Sequence, residues 1–502
     1  MSFKVAFVGA GSIGFTRGLL RDLLTVPEFH NIEIAFTDIS QHNLDMVTQL
    51  CQRDITENGL SIQIQATTDR RAALQDAKYV LCTIRVGGLE AFATDVDIPL
   101  KYGVDQCVGD TLCAGGIMYG QRGIAEMLNI CKDIREVSKP DVLLLNYSNP
   151  MAMMTWACNA YGGVHTVGLC HGVQHGHHQI AEVYGLEKKD VDIVCAGINH
   201  QTWYIQASHQ GKDLTAGLLE AFENHEEYSR TEKVRIDMMR RFGYYSTESN
   251  GHLSEYVPWY RKRPQEIGEW IDLNNWINGE TGGYLRVCTE GRNWFETDFP
   301  NWMKDEPMKF APEKRGEEHG SYIIEGLETG RVYRGHFNVI NNGVIANLPD
   351  DAIIEAPGYV DRNGISMPHV GNLPLGPAAV CNVSISVQRL AVEAAITGDD
   401  LLLRQAFMMD PLVGAVCNPK EIWQMVDEML VAGEAWLPQY TDAIVAAKER
   451  LASDQLIPTR EYAGAARLKV KTVAEMQEDR DAANKNAGES DKGKDREKVQ
   501  QS

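Results

Sequence analysis

Short apolar runs alternate with longer amphipathic stretches through the first 200 residues. The amphipathic stretches at 43–58 and 123–136 carry the spacing of helices. Strands that alternate with helices form parallel sheets with right-handed crossovers, so residues 1–200 are predicted to form a Rossmann-like doubly wound α/β lobe. The apolar runs that predict strands are 3–8, 32–37, 79–84, 142–146 and 164–168.

The alternation fades beyond residue 200. A β-like insertion between 332 and 360 interrupts longer helical patterns, which predicts a mixed α+β substrate and catalytic lobe over residues 201–475. From residue 476 onward there are almost no large apolar side chains, so residues 476–502 are predicted to be a disordered tail. The helical patterns of the second lobe lie at 214–224, 231–242, 387–397, 399–403 and 419–433.

The amino-acid composition and net charge exclude some classes of function. Hydrophobic residues make up 44% of the 502-residue chain and the formal charge is −21, so we expect a globular protein that binds neither nucleic acid nor membrane surfaces. The first strand pattern starts at Phe3, which leaves no room for a signal peptide. The eleven cysteines include no Cys-x-x-Cys pair. Reduced thiols in a cytoplasmic enzyme are therefore expected.

A glycine-rich turn follows the first predicted strand and opens a helix. Its spacing is Gly-x-Gly-x-x-Gly, and an aspartate ends the next strand, where a dinucleotide fold places a carboxylate on the ribose hydroxyls. The carboxylate would repel a 2′-phosphate, so NAD is favoured over NADP. The alternative is an ordinary tight turn with a surface aspartate. The candidate cofactor-binding residues are Gly9, Gly11, Ser12, Ile13, Gly14 and Asp38.

Three further segments carry polar or metal-binding side chains directly after apolar runs, at 146–151, 168–178 and 195–200. Ligands of doubly wound folds bind at that edge of the sheet. A thiolate with an imidazole can hold a transition metal. The structural alternative is a polar helix face for His175, His177 and His178, which is the interpretation preferred for these three. Four other cysteines are assigned to the core: Cys82, Cys131, Cys158 and Cys381.

Taken together, five ordered motifs resemble family 4 glycoside hydrolases, most closely the α-galactosidase (melibiase) and α-galacturonidase branch. The resemblance extends from the first strand to about Pro438. It includes Glu248-Ser249, the segment 255–259 and the segment 347–350. The five motifs are Gly9-Ala10-Gly11-Ser12, residues 109–117, residues 146–151, Gly168-Leu169-Cys170-His171 and residues 196–200.

The resemblance implies NAD and a divalent metal, commonly Mn²⁺, as cofactors. It also implies a cycle in which the sugar is oxidised at carbon 3, loses the proton on carbon 2, eliminates the glycosidic oxygen and takes up water before hydride returns. The family's departure from the two-carboxylate scheme of other glycosidases is a known exception. By the same resemblance Cys170 and His200 match the metal ligands, and Asn149 matches the amide that contacts the sugar.

Three residues are candidates for proton transfer. Tyr256 lies where related members place a tyrosine base for carbon 2, with Glu255 as a competitor and an aromatic core position as the structural alternative. His171 stands where another branch carries an aspartate acid, and it can donate a proton, bind a hydroxyl or pack. Asp110 lies in a glycine-rich stretch where a side chain can face a ligand, although a surface turn is an alternative.

An α-galactoside such as melibiose is the expected substrate. The motif Cys170-His171-Gly172 instead favours an α-galacturonidase, in which Arg286 and Arg292 could grip a uronate carboxylate; both could equally pair with Glu290 and Glu296. A simple NAD dehydrogenase and a nucleotide-responsive binding protein stay as alternatives from other classes. The family also implies a homodimer or homotetramer.

Overall fold

The computed structural model describes residues 2–273, 276–453 and 456–482. In this part of the chain, the β-strands form one mixed sheet. Its strands are β1 (Lys4–Val8), β2 (Glu33–Thr37), β3 (Ile64–Thr67), β4 (Tyr79–Cys82), β5 (Leu143–Asn146), β6 (Thr166–Gly168), β7 (Asp192–Ile198), β8 (Gln201–His209), β9 (Lys212–Asp213), β10 (Tyr245–Ser246), β11 (Tyr333–Ile340), β12 (Ile353–Asp361) and β13 (Gly364–Ser366).

Helices cover the sheet and build most of the second half. They are α1 (Ile13–Leu24), α2 (Gln41–Glu57), α3 (Arg70–Leu74), α4 (Gly88–Lys101), α5 (Cys113–Val137), α6 (Met151–Ala157), α7 (Gly172–Val183), α8 (Leu218–Asn224), α9 (Tyr228–Thr231), α10 (Lys233–Phe242), α11 (Asn250–Tyr256), α12 (Pro264–Trp270), α13 (Gly283–Trp302), α14 (His319–Thr329), α15 (Leu375–Thr397), α16 (Asp400–Met409), α17 (Pro411–Val416), α18 (Pro419–Ala432) and α19 (Thr441–Leu451).

The sheet has a parallel half and an antiparallel half. The strand order is β10-β8-β7-β12-β11-β6-β5-β4-β1-β2-β3. The strands from β6 to β3 run parallel to their neighbours, as a doubly wound fold requires. From β11 to β10 every pairing is antiparallel. The expected fold class, a Rossmann-like lobe joined to a mixed α+β lobe, is confirmed.

The predicted elements and the structure differ in two places in the first lobe. Strand β3 was missed because its residues are half-buried or exposed and it lies at the edge of the sheet, so it carries no strong apolar run. Helix α5 begins at Cys113, ten residues earlier than its apolar spacing suggested. Its first turns contain Gly115 and Gly116, where an added Cβ would lie 2.4 Å from backbone atoms. Glycine there permits close packing rather than a loop.

The two predicted lobes share this sheet across the boundary at residue 200. Strand β7 ends just before that boundary and pairs with both β8 and β12. At the other end of the chain, residues 473–482 are helical, so residues 476–482 of the predicted tail are ordered as helix. Residues 483–502 of that tail lie outside the described residues.

Helix α15 is long and apolar enough to cross a membrane by length and composition alone. It packs against α5 and α16, and half of its most apolar window is buried within the molecule. Its buried side chains, such as Ile385 and Val392, join a core cluster that includes Ile198 and Trp203 of the sheet. These contacts are those of a core helix.

Candidate active site

The glycine-rich turn joins β1 to α1 at the carboxyl edge of the sheet. Gly9 has φ +87°, and a Cβ there would lie 2.7 Å from the Thr83 carbonyl oxygen. Only glycine fits this turn without displacing the neighbouring strand end. Ser12 is the N-cap of α1 and makes no side-chain capping hydrogen bond. The start of the helix therefore leaves its N–H dipoles for an anionic group.

Asp38 lies beside the turn at the end of β2. Its carboxylate accepts hydrogen bonds from Gly11 N and Ser40 N, both at 2.8 Å. A Cβ on Gly11 would lie 2.8 Å from Asp38 Oδ2, whereas a Cβ on Gly14 would meet no atom within 4 Å. The next residue, Ile39, is 98% exposed. An open helix start, a carboxylate fixed beside it and an uncovered apolar side chain fit a dinucleotide.

A second set of ligand atoms converges where β6, β7 and β10 end. Cys170 follows β6, His200 occupies the tight turn between β7 and β8 with φ +60°, and Glu248 immediately precedes α11. All three are buried and their ligand atoms lie within 4.8 Å of one another. Glu248 Oε2 is 3.1 Å from His200 Nε2 and 3.5 Å from Cys170 Sγ. A sulfur, a nitrogen and an oxygen donor at such spacing fit one divalent transition metal.

The low pKa of Glu248 keeps this carboxylate ionised, the form in which it can bind a cation. Burial alone would raise the pKa of Glu248, but the His200, His252 and His171 imidazoles lower it to about 2. Burial and the Glu248 charge raise the pKa of the Cys170 thiol well above its ordinary value. Binding a divalent cation would displace that proton, because thiolate rather than thiol is the ligand.

Gly172 follows two residues after Cys170 and opens α7. Its amide N–H donates to Cys170 Sγ at 3.4 Å. A Cβ at this position would lie 2.4 Å from Glu248 Oε2. The glycine therefore lets the carboxylate approach the thiol.

Tyr256 contacts His200, the nitrogen donor of the cluster. Its hydroxyl lies 3.2 Å from His200 Nδ1, and the two rings are nearly parallel, 15° apart. A histidine that binds a metal through Nε2 carries its proton on Nδ1, so that nitrogen would donate to the Tyr256 oxygen. Burial, then the Glu255 and Asp110 charges, hold the pKa of Tyr256 well above its usual value in the protein alone.

Glu255, the competitor for the base, points away from this cluster. Its carboxylate accepts three backbone hydrogen bonds, from Cys107 N at 2.6 Å and from Val108 N and Gly109 N at 3.0 Å. It is fully buried, and burial raises its pKa to about 7. The alternative in which Glu255 is the base is therefore disfavoured by geometry, and Glu255 fixes the loop in front of Asp110.

Asp110 and Asn149 lie together, although they come from distant segments. Asn149 Nδ2 donates to Asp110 Oδ2 at 2.9 Å, and Thr111 Oγ1 donates to the other carboxylate oxygen at 3.0 Å. Asp110 is buried, so the surface-turn alternative is wrong. Asn149 is half-buried and keeps its carbonyl oxygen for another partner.

His171 lies next to Cys170, with its side chain 58% exposed. Its Nδ1 is 3.4 Å from Glu318 Oε1, and this carboxylate raises the pKa of His171 to about 9 despite the opposing effect of desolvation. Two of the three histidines assigned to a polar helix face have structural partners: His177 Nε2 lies 2.7 Å from the Val191 carbonyl oxygen and His178 pairs with Glu317. The third, His175, is exposed on α7.

The arginines considered for a uronate are already paired. Arg286 forms bidentate hydrogen bonds with Glu280 at 2.6 and 2.7 Å and contacts Glu290 at 2.9 Å. Arg292 pairs with Glu90 at 3.1 Å, not with Glu296.

The four cysteines assigned to the core, Cys82, Cys131, Cys158 and Cys381, are buried free thiols.

Two acidic residues of the site were missed by sequence reasoning as functional groups. Glu248 was noted only as part of a motif, and Glu318 was not noted. The one local signal for Glu248 is the serine that follows it, because Ser249 is a typical N-cap residue and caps α11. For Glu318 no sequence signal exists, because α14 meets Cys170 and His171 only through the fold.

Sequence comparison agrees with this architecture. The profile described as family 4 glycosyl hydrolase matches residues 4–186, and that of the family 4 glycosyl hydrolase C-terminal domain matches residues 195–413. The fold and the site thus define a nucleotide-binding glycosidase. The chain belongs to the family 4 glycosyl hydrolases, and the expected family is confirmed.

Named relatives refine this picture. An alpha-galactosidase of Rhizobium meliloti is 58% identical over 96% of this chain and 98% of its own length. An alpha-galactosidase of Bacillus subtilis is 34% identical over 87% and 99%. An alpha-galacturonidase of Lachnoclostridium phytofermentans is 28% identical over 87% and 97%.

Solved structures share the fold. A 6-phospho-alpha-glucosidase from gut microorganisms in complex with NAD and glucose-6-phosphate has a TM-score of 0.72 and 25% identity, covering 87% of this chain and 99% of that one. Another 6-phospho-alpha-glucosidase from gut microorganisms, solved with NAD and Mn²⁺, also has a TM-score of 0.72, with 21% identity over 87% and 99%.

Proposed function

We propose that this enzyme is an NAD⁺- and divalent-metal-dependent α-galactosidase acting on small, melibiose-like α-galactosides. The observation that carries the proposal is the buried cluster of Cys170, His200 and Glu248 with Tyr256 hydrogen-bonded to its histidine. The 58% identity to an alpha-galactosidase supports the sugar. The expected cofactors, NAD and Mn²⁺, agree with those bound in the solved neighbours.

The residues divide into two groups by what they hold. The turn at Gly9–Gly14 and the Asp38 carboxylate would hold the dinucleotide. Cys170, His200 and Glu248 would hold the cation. Bound there, the nicotinamide would supply reversible hydride transfer and the cation would supply Lewis acidity toward the sugar oxygens.

Proton transfers fall to side chains of the chain itself. With carbon 3 oxidised, the carbon 2 proton is acidic, and Tyr256 removes it; the electron pair left behind expels the glycosidic oxygen from carbon 1. His171 donates a proton to that leaving oxygen. Water then adds at carbon 1 and the proton returns to carbon 2, so the cycle is redox-neutral. Asn149, held by Asp110, binds a sugar hydroxyl.

A neutral sugar is favoured over a uronate. Arg286 is engaged by both Glu280 and Glu290, so it offers no bidentate site without breaking an existing ion pair, and Arg292 pairs with the exposed Glu90. A galactoside requires no such site. The galacturonidase alternative is thereby weakened on structural grounds, in line with the order of identities.

The deciding experiment compares release of 4-nitrophenol from the α-D-galactoside and the α-D-galacturonide, each with and without NAD⁺ and Mn²⁺. We expect cleavage of the galactoside only, dependent on both cofactors. Net accumulation of NADH in proportion to substrate would support a simple dehydrogenase instead. Preferential cleavage of the galacturonide would overturn the sugar assignment but not the reaction. A cytoplasmic location and a homodimer or homotetramer remain predictions.

A further inference from the structure

The chain segment at residues 456–472, here called the C-terminal strap, lies across the side of the active-site lobe. It contains neither helix nor strand, and Ala466 is its buried residue. The profile of the C-terminal family domain ends at residue 413, well before the strap. Because so little apolar surface is covered, the strap is held to the protein mainly by specific hydrogen bonds.

Two of those hydrogen bonds meet on one carboxylate. Tyr462 Oη donates to Asp105 Oδ2 at 2.7 Å, and Ala465 N donates to the same oxygen at 3.0 Å. Upstream, Arg460 N donates to the Lys101 carbonyl oxygen at 2.7 Å. Downstream, Lys471 N donates to Glu290 at 2.7 Å. The strap therefore runs from the end of α4 to α13 across Asp105.

Asp105 itself belongs to the core. It is fully buried, its other oxygen accepts from Thr281 Oγ1 at 2.8 Å, and the Arg261 guanidinium pairs with it. Arg261 Nε also donates to the Asp105 carbonyl oxygen at 2.5 Å. Asp105, together with the Thr281 amide and hydroxyl that hydrogen-bond to Ala466, thus ties the strap to the interior.

Asp105 begins the loop that ends at Asp110. Glu255 grips the three amides at 107–109, and Gly282 N donates to the Gln106 carbonyl oxygen at 2.7 Å. The loop is therefore fixed residue by residue from Asp105 onward. Asp105 and Asp110 are thus the two ends of one anchored loop, and Asp110 accepts a hydrogen bond from Asn149.

We propose that the C-terminal strap positions the sugar site: Tyr462 and Ala465 fix Asp105, and the loop behind it sets Asp110 against Asn149. Tyr462 is then a positioning residue that never touches the sugar. The part of this inference that concerns the sugar rests on the proposed function, whereas the coupling of strap to loop does not.

The test uses full-length Tyr462→Phe, loaded with NAD⁺ and Mn²⁺. The variant loses the hydrogen bond from Tyr462 to the buried Asp105, so amide hydrogen exchange at 107–109 should be about 5- to 10-fold faster. The KM for 4-nitrophenyl α-D-galactoside should rise by a similar factor. The expected change in kcat is less than about twofold, with NAD⁺ affinity unchanged. Tyr161→Phe is the matched control, since Tyr161 also donates to a carboxylate, Glu393, at the surface.

A double-mutant cycle with Asp110→Asn locates the route of the effect. If the strap acts through Asp110, Tyr462→Phe raises KM far less in the Asp110→Asn background. Full additivity, a KM unchanged by Tyr462→Phe, or unchanged exchange at 107–109 would each overturn the proposal. Should the wild-type enzyme cleave no galactoside, the proposed function fails, yet the exchange measurement still decides whether the strap holds the loop.

Discussion

The proposed cofactor turn and the proposed metal centre are built by opposite means. The turn is one continuous stretch, Gly9–Gly14, joined by Asp38 at the end of the next strand, and most of its residues are half-buried, with Gly14 exposed. The metal centre takes one donor from each of three loops, and all of its ligands are buried. A contiguous, open site suits a group that must bind and exchange, while an assembled, buried one suits a group that is retained. A substitution that disrupts ligand binding at one of these two sites should therefore leave binding at the other intact.

The sharpest test of that independence is Cys170→Ser. Removing the thiolate from a three-donor set is expected to weaken Mn²⁺ binding by at least about 100-fold and to abolish turnover, because the remaining nitrogen and oxygen hold the cation less tightly. NAD⁺ affinity measured by fluorescence should stay within about twofold. Cys288→Ser, at a half-buried thiol, is the control. Equal loss of NAD⁺ binding would show that the two regions are one unit.

Tyr256→Phe tests whether the metal side also carries the base. The variant keeps the ring against His200 but loses the hydroxyl, so exchange of the carbon 2 proton with solvent should slow by about 100-fold, the range of general-base catalysis. Exchange into deuterated solvent followed by NMR measures it. Glu255→Gln, one residue away, should retain that exchange rate. A normal rate in Tyr256→Phe would exclude this tyrosine as the base.

The role of His171 depends on the leaving group. With His171→Gln, hydrolysis of melibiose should fall by about 100-fold, because its sugar leaving group needs a proton, whereas 4-nitrophenol departs without one. The ratio of kcat/KM for the two substrates is the readout. An equal loss for both would assign His171 to binding or packing.

On the cofactor side, Asp38→Ala removes an acceptor for the ribose and for two backbone amides. The NAD⁺ concentration needed for half-maximal activity should rise by about 10-fold, equivalent to one charged hydrogen bond. Mn²⁺ affinity should not change, in contrast to Cys170→Ser. Asp45→Ala, at an exposed position on α2, is the control. An unchanged NAD⁺ requirement would contradict the ribose assignment.

The same contrast explains which parts of the site could be predicted from the sequence. The cofactor turn could be predicted because its glycines and its carboxylate follow successive strands. Cys170 and His200 lie in segments that the residues alone marked as possible metal sites, but their selection as ligands came through family resemblance, and Glu248 as a third proposed donor needed the fold. Choosing between Tyr256 and Glu255 also needed geometry. Adjacent helical residues point about 100° apart, and the local sequence does not state which direction faces the cluster.

The absence of a side chain at Gly172 has an evolutionary consequence. A serine there would push the Glu248 carboxylate away from Cys170 and His200, which leaves two protein donors for the cation instead of three. Positions 172 and 248 are therefore expected to change together among relatives. A branch that acquires a side chain at 172 would draw its remaining ligands from substrate and water, with a corresponding shift in which metal it prefers.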